Sequence, residues 1–512
     1  MKKLMLALVL VFAVSMLFYP AVMQAQERGG DLNIAIGPDP ESLDPAEASS
    51  SPAAMVMMHM METLFDMTPD GEIVPLLAEG YEVSEDGLIY DIFLNQGIEF
   101  HDGTYFDAEV VKFNLERLQD EEAPFSFLID EVVEVEVVDT YTVRLHTERP
   151  FAPLMAHLSH DFISMVSPTA VEEYGDDISV NPVGTGPFQF VSWTRGDKVV
   201  MERFDDYWGD NAYLDTLTIS VVPEDSTRVV MVETGEAHAA MFVPPRDVER
   251  LEGVEDVDVV QATSLRTIYG GFNVQIEPFT DVRVRKAINY AVDKESIVNE
   301  IMQGAGRPSD APISPDIFGY AQQEKYEYDP DRARELLAEA GYEDGLEFTF
   351  HHPVGRYMMD QTIAQAIQSQ LRDVGITARL QTLEWATYLE FMNVPVEEAE
   401  HQMFILGWGT VTGDADYGLY ALFHSDEWVP RGSNRSYTDF PEVDSLLEEA
   451  RVTVEPEARE EIYAEAISII WDEAPWLFLH SEVQLNAVRH GVEGLIHHPR
   501  EYISAREAYL TD

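Results

Sequence analysis

Leu346-Glu-Phe-Thr-Phe-His351 alternates apolar and polar residues. Residues 357–374 then carry apolar side chains at helical spacing as far as Gly375, and Ile376-Thr-Ala-Arg-Leu-Gln-Thr-Leu383 alternates again. A strand, a helix and a second strand follow from those two periods, 2.0 and 3.6. The same grammar extends outward in both directions. Upstream come a strand at 214–222, a helix around 226–233, a strand at 266–275, a helix at 282–292 behind Asp281, another behind Asp293, and a helix at 331–340 stopped by Gly341. Downstream come a strand at 402–408 and helices at 442–452 and 457–471. Strands alternating with helices imply an α/β fold with right-handed crossovers and a largely parallel sheet.

The first third reads differently. Leu32, Ile34 and Ile36 alternate as in a strand buried on one face, and a proline-rich loop follows. Strands flank the turn Ser84-Glu-Asp-Gly87. Asp107 caps a helix carrying Val110, Val111, Leu115 and Leu118, and 132–145 is a further strand pair. This is a strand-rich subdomain inserted into a first lobe. At 512 residues the chain exceeds what one hydrophobic core serves, so a second lobe is required.

Charge narrows the function classes. Against 94 Asp+Glu stand 32 Lys+Arg, a formal net charge of −62. Such a field repels phosphate backbones and anionic lipid, which excludes nucleic acid and membrane surfaces as partners. It suits a medium of high salt or high pH. At the N-terminus Lys2 and Lys3 precede an apolar run from Leu4 to Phe18, followed by Pro20, Ala21 and Ala25. The pattern is a signal peptide over residues 1–25, cleaved near Ala25, on an exported periplasmic protein. With 0 Cys the chain is neither a lipoprotein nor a thiol enzyme.

Catalytic signatures are missing. No Gly-x-Ser-x-Gly elbow, His-Glu-x-x-His or phosphate-cradling glycine loop occurs. Asp414-Ala-Asp416-Tyr-Gly418 begins like a calcium loop but has Gly418 at the third ligand position and Ser425 at the twelfth. His351-His352 and His497-His498 are adjacent pairs, which a strand points to opposite faces. Neither a metal nor another cofactor is expected, and no enzyme.

Several segments in order resemble the family 5 extracellular solute-binding proteins, the dipeptide-, oligopeptide-, glutathione- and nickel-binding receptors of ABC importers. They include Glu41-Ser-Leu-Asp-Pro45, Glu62-Thr-Leu-Phe65, Pro75-Leu-Leu-Ala-Glu-Gly-Tyr-Glu-Val-Ser-Glu-Asp-Gly87, Ile98-Glu-Phe-His-Asp-Gly103, Val183-Gly-Thr-Gly-Pro-Phe188, Tyr207-Trp-Gly209, Gly271-Phe-Asn273 and the run from Val282 to Asp293. Tyr81 and Glu99 depart from the family pattern. The resemblance implies a type II periplasmic-binding-protein fold, two lobes closing by a hinge, with the extra strand-rich subdomain in lobe one. It implies lobe one at 26–270 with an insertion at about 59–181, lobe two at 271–482, and a return of 483–512 to lobe one. Gly270-Gly271 is a candidate hinge or a site of tight strand packing.

The same resemblance implies a monomeric receptor delivering short peptides or peptide-like solutes to membrane permease subunits. Glutathione, a nickel chelate or another small solute is the alternative within the class, and a secreted hydrolase the alternative outside it. In dipeptide-binding relatives an arginine before a helix pairs with the ligand carboxylate, matched here by Arg356. An aspartate after a Gly-Trp strand end holds the amine, matched by Asp414 with Asp416 second. Trp408, Trp385, Tyr388 and Tyr269 are candidate apolar walls, and Gly184 and Thr185 lie near the lobe-one side of the cleft or simply form a packed turn.

Overall fold

The computed structural model describes residues 28–119, 123–354 and 356–511. The expected signal peptide lies outside these residues. Capping aspartates act as the sequence indicates. Asp107 accepts from the N–H groups of Glu109 and Val110 at 3.0 and 3.2 Å, opening the helix Ala108–Leu118. Asp281 does the same for Val282–Ala291 through the N–H of Arg283.

One 11-stranded sheet runs through the molecule. From one edge its strands are Ile376–Leu383, Leu346–Pro353, Met403–Gly409, Val257–Phe272, Trp476–Arg489, Ala239–Ala240, Asp31–Ile36, Thr216–Val221, Lys198–Arg203 and Phe188–Thr194, with Gly306–Pro308 joining Trp476–Arg489. The sheet is mixed, which corrects the expectation of a largely parallel one. Parallel pairing survives at Leu346–Pro353 with its two neighbours and at Asp31–Ile36 with its two. The centre is antiparallel because an outbound strand, Val257–Phe272, and a return strand, Trp476–Arg489, run the length of the sheet in opposite directions. Crossovers that stay on one side are visible as helix–strand alternation; strands separated by about two hundred residues are not.

Alternation along the outbound strand feeds two cores. Ile268 packs with Phe348, Phe350, Ile363 and Leu371, while Tyr269 packs with Phe404, Leu419, Tyr463 and Phe478 on the other face. The far half of the sheet packs Leu32, Ile34, Leu217 and Ile219 over a third cluster. The inserted unit is a separate antiparallel sheet in the order Ala78–Val83, Ile89–Leu94, Thr142–Thr147, Val132–Asp139, with Val111 and Leu115 of Ala108–Leu118 packed into its core.

The outbound strand changes neighbours at an irregularity between Thr263 and Thr267. Before it, Val257–Thr263 pairs with the return strand alone; after it, Arg266 to Phe272 pairs also with Met403–Gly409. Gly270-Gly271 lies beyond that point in regular pairing. A side chain at Gly271 would stand 2.1 Å from the Phe404 ring, so this glycine serves close packing.

Candidate functional site

At the irregularity the buried Arg266 guanidinium is held by Glu501 of the C-terminal segment, its Nε 3.0 Å from Oε1 and its outer nitrogen 2.7 Å from Oε2. Ser264 donates its hydroxyl to the same carboxylate at 2.7 Å. Burial works against the Glu501 charge, but Arg266 overrides it and holds the carboxyl below its ordinary value. Glu482 on the return strand has no such partner. It lies 3.5 Å from the Nε of Arg266, whose donors already face Glu501. Burial, then the neighbouring Glu501 charge, push Glu482 up to about 7.

Arg356 enters this neighbourhood from the loop between strand Leu346–Pro353 and helix Asp360–Asp373. The Asp360 carboxylate fixes that loop by accepting from the N–H groups of Arg356 and Tyr357 at 3.0 and 3.3 Å. The exposed guanidinium rests 5.0 Å from the ring centre of Tyr357 and 5.1 Å from that of Trp385. Tyr357 in turn donates its hydroxyl to the Gly407 carbonyl at 3.4 Å. Only glycine fits at 407: a Cβ there would meet Ile268 at 2.4 Å and Tyr357 at 2.9 Å. Trp408, next in that strand, stands opposite Thr267 and donates its indole N–H to the Tyr417 carbonyl at 3.1 Å. Arg356, Trp385 and Trp408 therefore surround the crossing, half-buried or exposed.

The remaining candidates are placed elsewhere. Asp414 caps the helix Ala415–Phe423 through the Asp416 N–H, and both its oxygens accept from Arg459 at 2.7 Å, with the two side chains 7% and 6% exposed. Asp416 lies 3.1 Å from Arg451 Nε and 3.4 Å from His157 Nε2. Burial opposes its charge, yet Arg451 and His157 hold the carboxyl down at about 2. Tyr388 is wholly buried and donates to the Ile405 carbonyl at 2.8 Å; Tyr269 is buried and stacks on Trp476 at 3.5 Å. Gly184 backs onto the Met60 carbonyl, and Thr185 donates to Glu62 at 2.9 Å, a carboxylate that also accepts from Tyr207, Trp208 and Arg506. Those two residues build a packed turn within the first part of the chain.

Sequence reasoning missed Arg266, Glu482, Glu501 and Arg459. Glu482 carried a signal: it is the one acidic residue of the return strand, which is otherwise apolar and neutral up to the terminal Arg489, and an ionised side chain there demands a reason. Arg459 carried none, since an arginine in a helix among glutamates reads as surface. The paired histidines have other partners: His351 with Gln381, His352 with the Pro353 carbonyl, His497 with Asn486 and His498 with the Met67 carbonyl. Among the described residues no helix is long and apolar enough to cross a membrane.

Known proteins match this arrangement along most of its length. The family model for bacterial extracellular solute-binding proteins, family 5 (middle), matches residues 72–429. The glutathione-binding protein GsiB of Salmonella paratyphi A is 36% identical over 462 residues, 89% of this chain and 90% of its own. The ABC transporter-associated periplasmic binding protein DppA of Helicobacter pylori, solved with the peptide STSA, has a TM-score of 0.83 at 29% identity over 95% of this chain and 99% of its own. The binding protein AgaA of A. tumefaciens R10, solved with agropinic acid, has a TM-score of 0.81 at 27% identity over 94% and 99%. A long mixed sheet with paired central strands, an inserted antiparallel unit and this matching sequence lead to one assignment: the chain belongs to the family 5 bacterial extracellular solute-binding proteins.

Proposed function

We propose that this chain is an exported receptor that captures short peptides or peptide-like solutes beside the crossing strands and delivers them to the permease subunits of an ABC importer. The lobes part at the irregularity near Thr263 and Thr267 in the outbound strand and close to Glu482 in the return strand. A signal peptide and a periplasmic location complete the reading, and the receptor works as a monomer.

The observation that carries it is the state of Arg356. Its backbone is fixed by Asp360, its guanidinium is flanked by Tyr357 and Trp385, and among the described residues no carboxylate lies within ion-pair distance of it. A preorganised planar cation of this kind suits a ligand carboxylate, bound through two parallel hydrogen bonds. The peptide, glutathione and agropinic acid named for the relatives each carry at least one carboxylate. Asp414 is left out of the proposal because Arg459 occupies both its oxygens.

Calorimetry tests this with one ligand, identified by mass spectrometry from the purified protein, in free, C-amidated and N-acetylated forms. Amidation should cost roughly 2–5 kcal/mol, tens- to thousands-fold in affinity, and Arg356→Ala should erase that discrimination. Equal affinity for free and amidated forms would remove Arg356 from the site. Ligand returned cleaved in a time-dependent manner would move the chain to the hydrolases.

A further inference from the structure

The inserted antiparallel unit and the second lobe meet through contacts that ligand capture at Arg356 does not use. Ala152 donates its backbone N–H to the Arg451 carbonyl at 2.8 Å. The Arg451 guanidinium lies 4.9 Å from the Phe151 ring and 3.9 Å from that of Tyr420, and Phe127 stacks on Tyr417 at 6.1 Å. At the centre stands the pair His157–Asp416, at 3.4 Å, with side chains only 2% and 4% exposed.

The hydrogen bonding of His157 makes this contact unusual. Its Nδ1 is 2.8 Å from the Leu128 carbonyl oxygen, which only accepts, so Nδ1 carries a proton and donates. Nε2 is left to face the carboxylate. It stands 3.4 Å from Asp416 Oδ2, a buried approach of ring to carboxylate without a directed hydrogen bond. The other oxygen of Asp416 faces Arg451 Nε at 3.1 Å. His157 Nε2, Asp416 Oδ1 and Arg451 Nε are buried and make no directed hydrogen bond, so what joins the three groups is the close approach of His157 and Arg451 to the two oxygens of Asp416. The groups facing this trio are His160 from the same segment, the Phe151 ring, Arg459 beside Asp416, and around Arg451 the Glu131–Arg149 pair, Asp130, Tyr420 and Glu427.

We infer that His157, Asp416 and Arg451 form a latch that holds the inserted unit against the second lobe, so that these residues position the closed receptor and set how long it retains a solute without selecting which solute. Trios that bridge two bodies and touch no solute act on the rate of opening. The inference rests on the hinge-closing receptor reading, and its main test needs no ligand. With 0 Cys in the chain, spin labels at Val138→Cys on the inserted unit and Tyr328→Cys on the second lobe, both exposed in the structure, report the separation of the two bodies.

In the ligand-free protein, Asp416→Asn and, separately, His157→Gln should shift the label distances toward longer values relative to the parent. An unchanged distribution in both variants overturns the latch, whether or not any peptide binds. With a bound peptide, Asp416→Asn should speed dissociation about tenfold and equally for free and amidated forms, leaving their affinity ratio as in the parent. A variant that changes that ratio makes Asp416 a solute contact and also overturns the latch. Loss of peptide binding in the parent, by contrast, would sink the receptor reading and leave the label measurement standing.

Discussion

Arg459 and Arg356 have opposite situations. Arg459 is buried with both oxygens of Asp414 against it, a third hydrogen bond to Tyr463 and the helix Ala415–Phe423 capped by the same carboxylate. Arg356 is exposed, flanked by aromatic rings and distant from every described carboxylate's ion-pair range, although the chain holds 94 acidic residues for 32 basic ones. The Asp414–Arg459 pair is thus electrostatically settled, and the crossing, with Arg356 and Glu482, is not. Family resemblance alone gave Asp414 and Arg356 equal standing as solute anchors; their partners separate them.

The sharpest way to break the comparison is to remove each arginine. Arg459→Met leaves Asp414 buried and uncompensated, and should cost about 3–5 kcal/mol in urea unfolding. Arg356→Met should cost less than about 0.5 kcal/mol, as an exposed side chain with no ion pair, while removing the carboxylate-dependent part of solute affinity. Equal stability losses would mean that Arg356 is also part of the settled interior.

Packing gives the next test. Gly271→Ala drives a methyl into the Phe404 ring and should cost about 1–3 kcal/mol, whereas Gly80→Ala, with nothing within 4 Å and no left-handed backbone, should stay within about 0.5 kcal/mol. If Gly271→Ala instead left stability intact and slowed closure, the hinge would lie at the glycine pair and the settled region would begin later in the strand.

The crossing should also reveal itself in pH dependence. Glu482 is pushed up to about 7, chiefly by burial and then by Glu501, against an ordinary value of 4.5. Between those two values the folded state binds more protons than the unfolded one, so stability falls as pH rises from 4.5 to 7 and levels off above. Glu501, held below its ordinary value, adds a slope of opposite sign only at the lower end of that window, where its unfolded carboxyl is still partly protonated. Distant carboxylates contribute alike to parent and variant, so the difference in slope between the parent and Glu482→Gln reports Glu482 together with its neighbour Glu501. Matching slopes in urea titrations at stepped pH would show Glu482 to be solvated like any surface acid.

Local signals explain what the sequence made legible. Asp107 and Asp281 precede apolar residues at helical spacing, and both cap helices. Asp414 precedes Tyr417, Leu419 and Tyr420 in the same way and caps its helix, so the motif it shares with peptide-binding relatives carries a structural role here. Gly270-Gly271 left two readings open, and only the position of Phe404, about 130 residues away in sequence, decides for packing. Strand directions at the sheet centre were hidden for the same reason: they depend on which distant segment lies alongside, and periodicity reports only which face is buried. Arg356 was legible because the Asp360 turn and the aromatic residues that hold it lie close in sequence.

Salt offers the gentlest probe of the same contrast. The net charge of −62 is carried mainly by exposed carboxylates, and their mutual repulsion reaches about 30 Å at 0.01 M salt but only about 3 Å at 1 M. Melting temperature should therefore rise from low to molar NaCl. The buried Asp414–Arg459 pair lies where ions do not reach, so parent and Arg459→Met should rise in parallel, the gap between them constant across the series. Solute affinity should respond differently, because Arg356 is exposed and its attraction for a carboxylate is screened; it should weaken over the same salt range. Scanning calorimetry and binding titrations on one salt series read both effects. A gap that closes with salt would place Arg459 in contact with solvent, and a flat melting profile would detach the acidity of the surface from the stability of the fold.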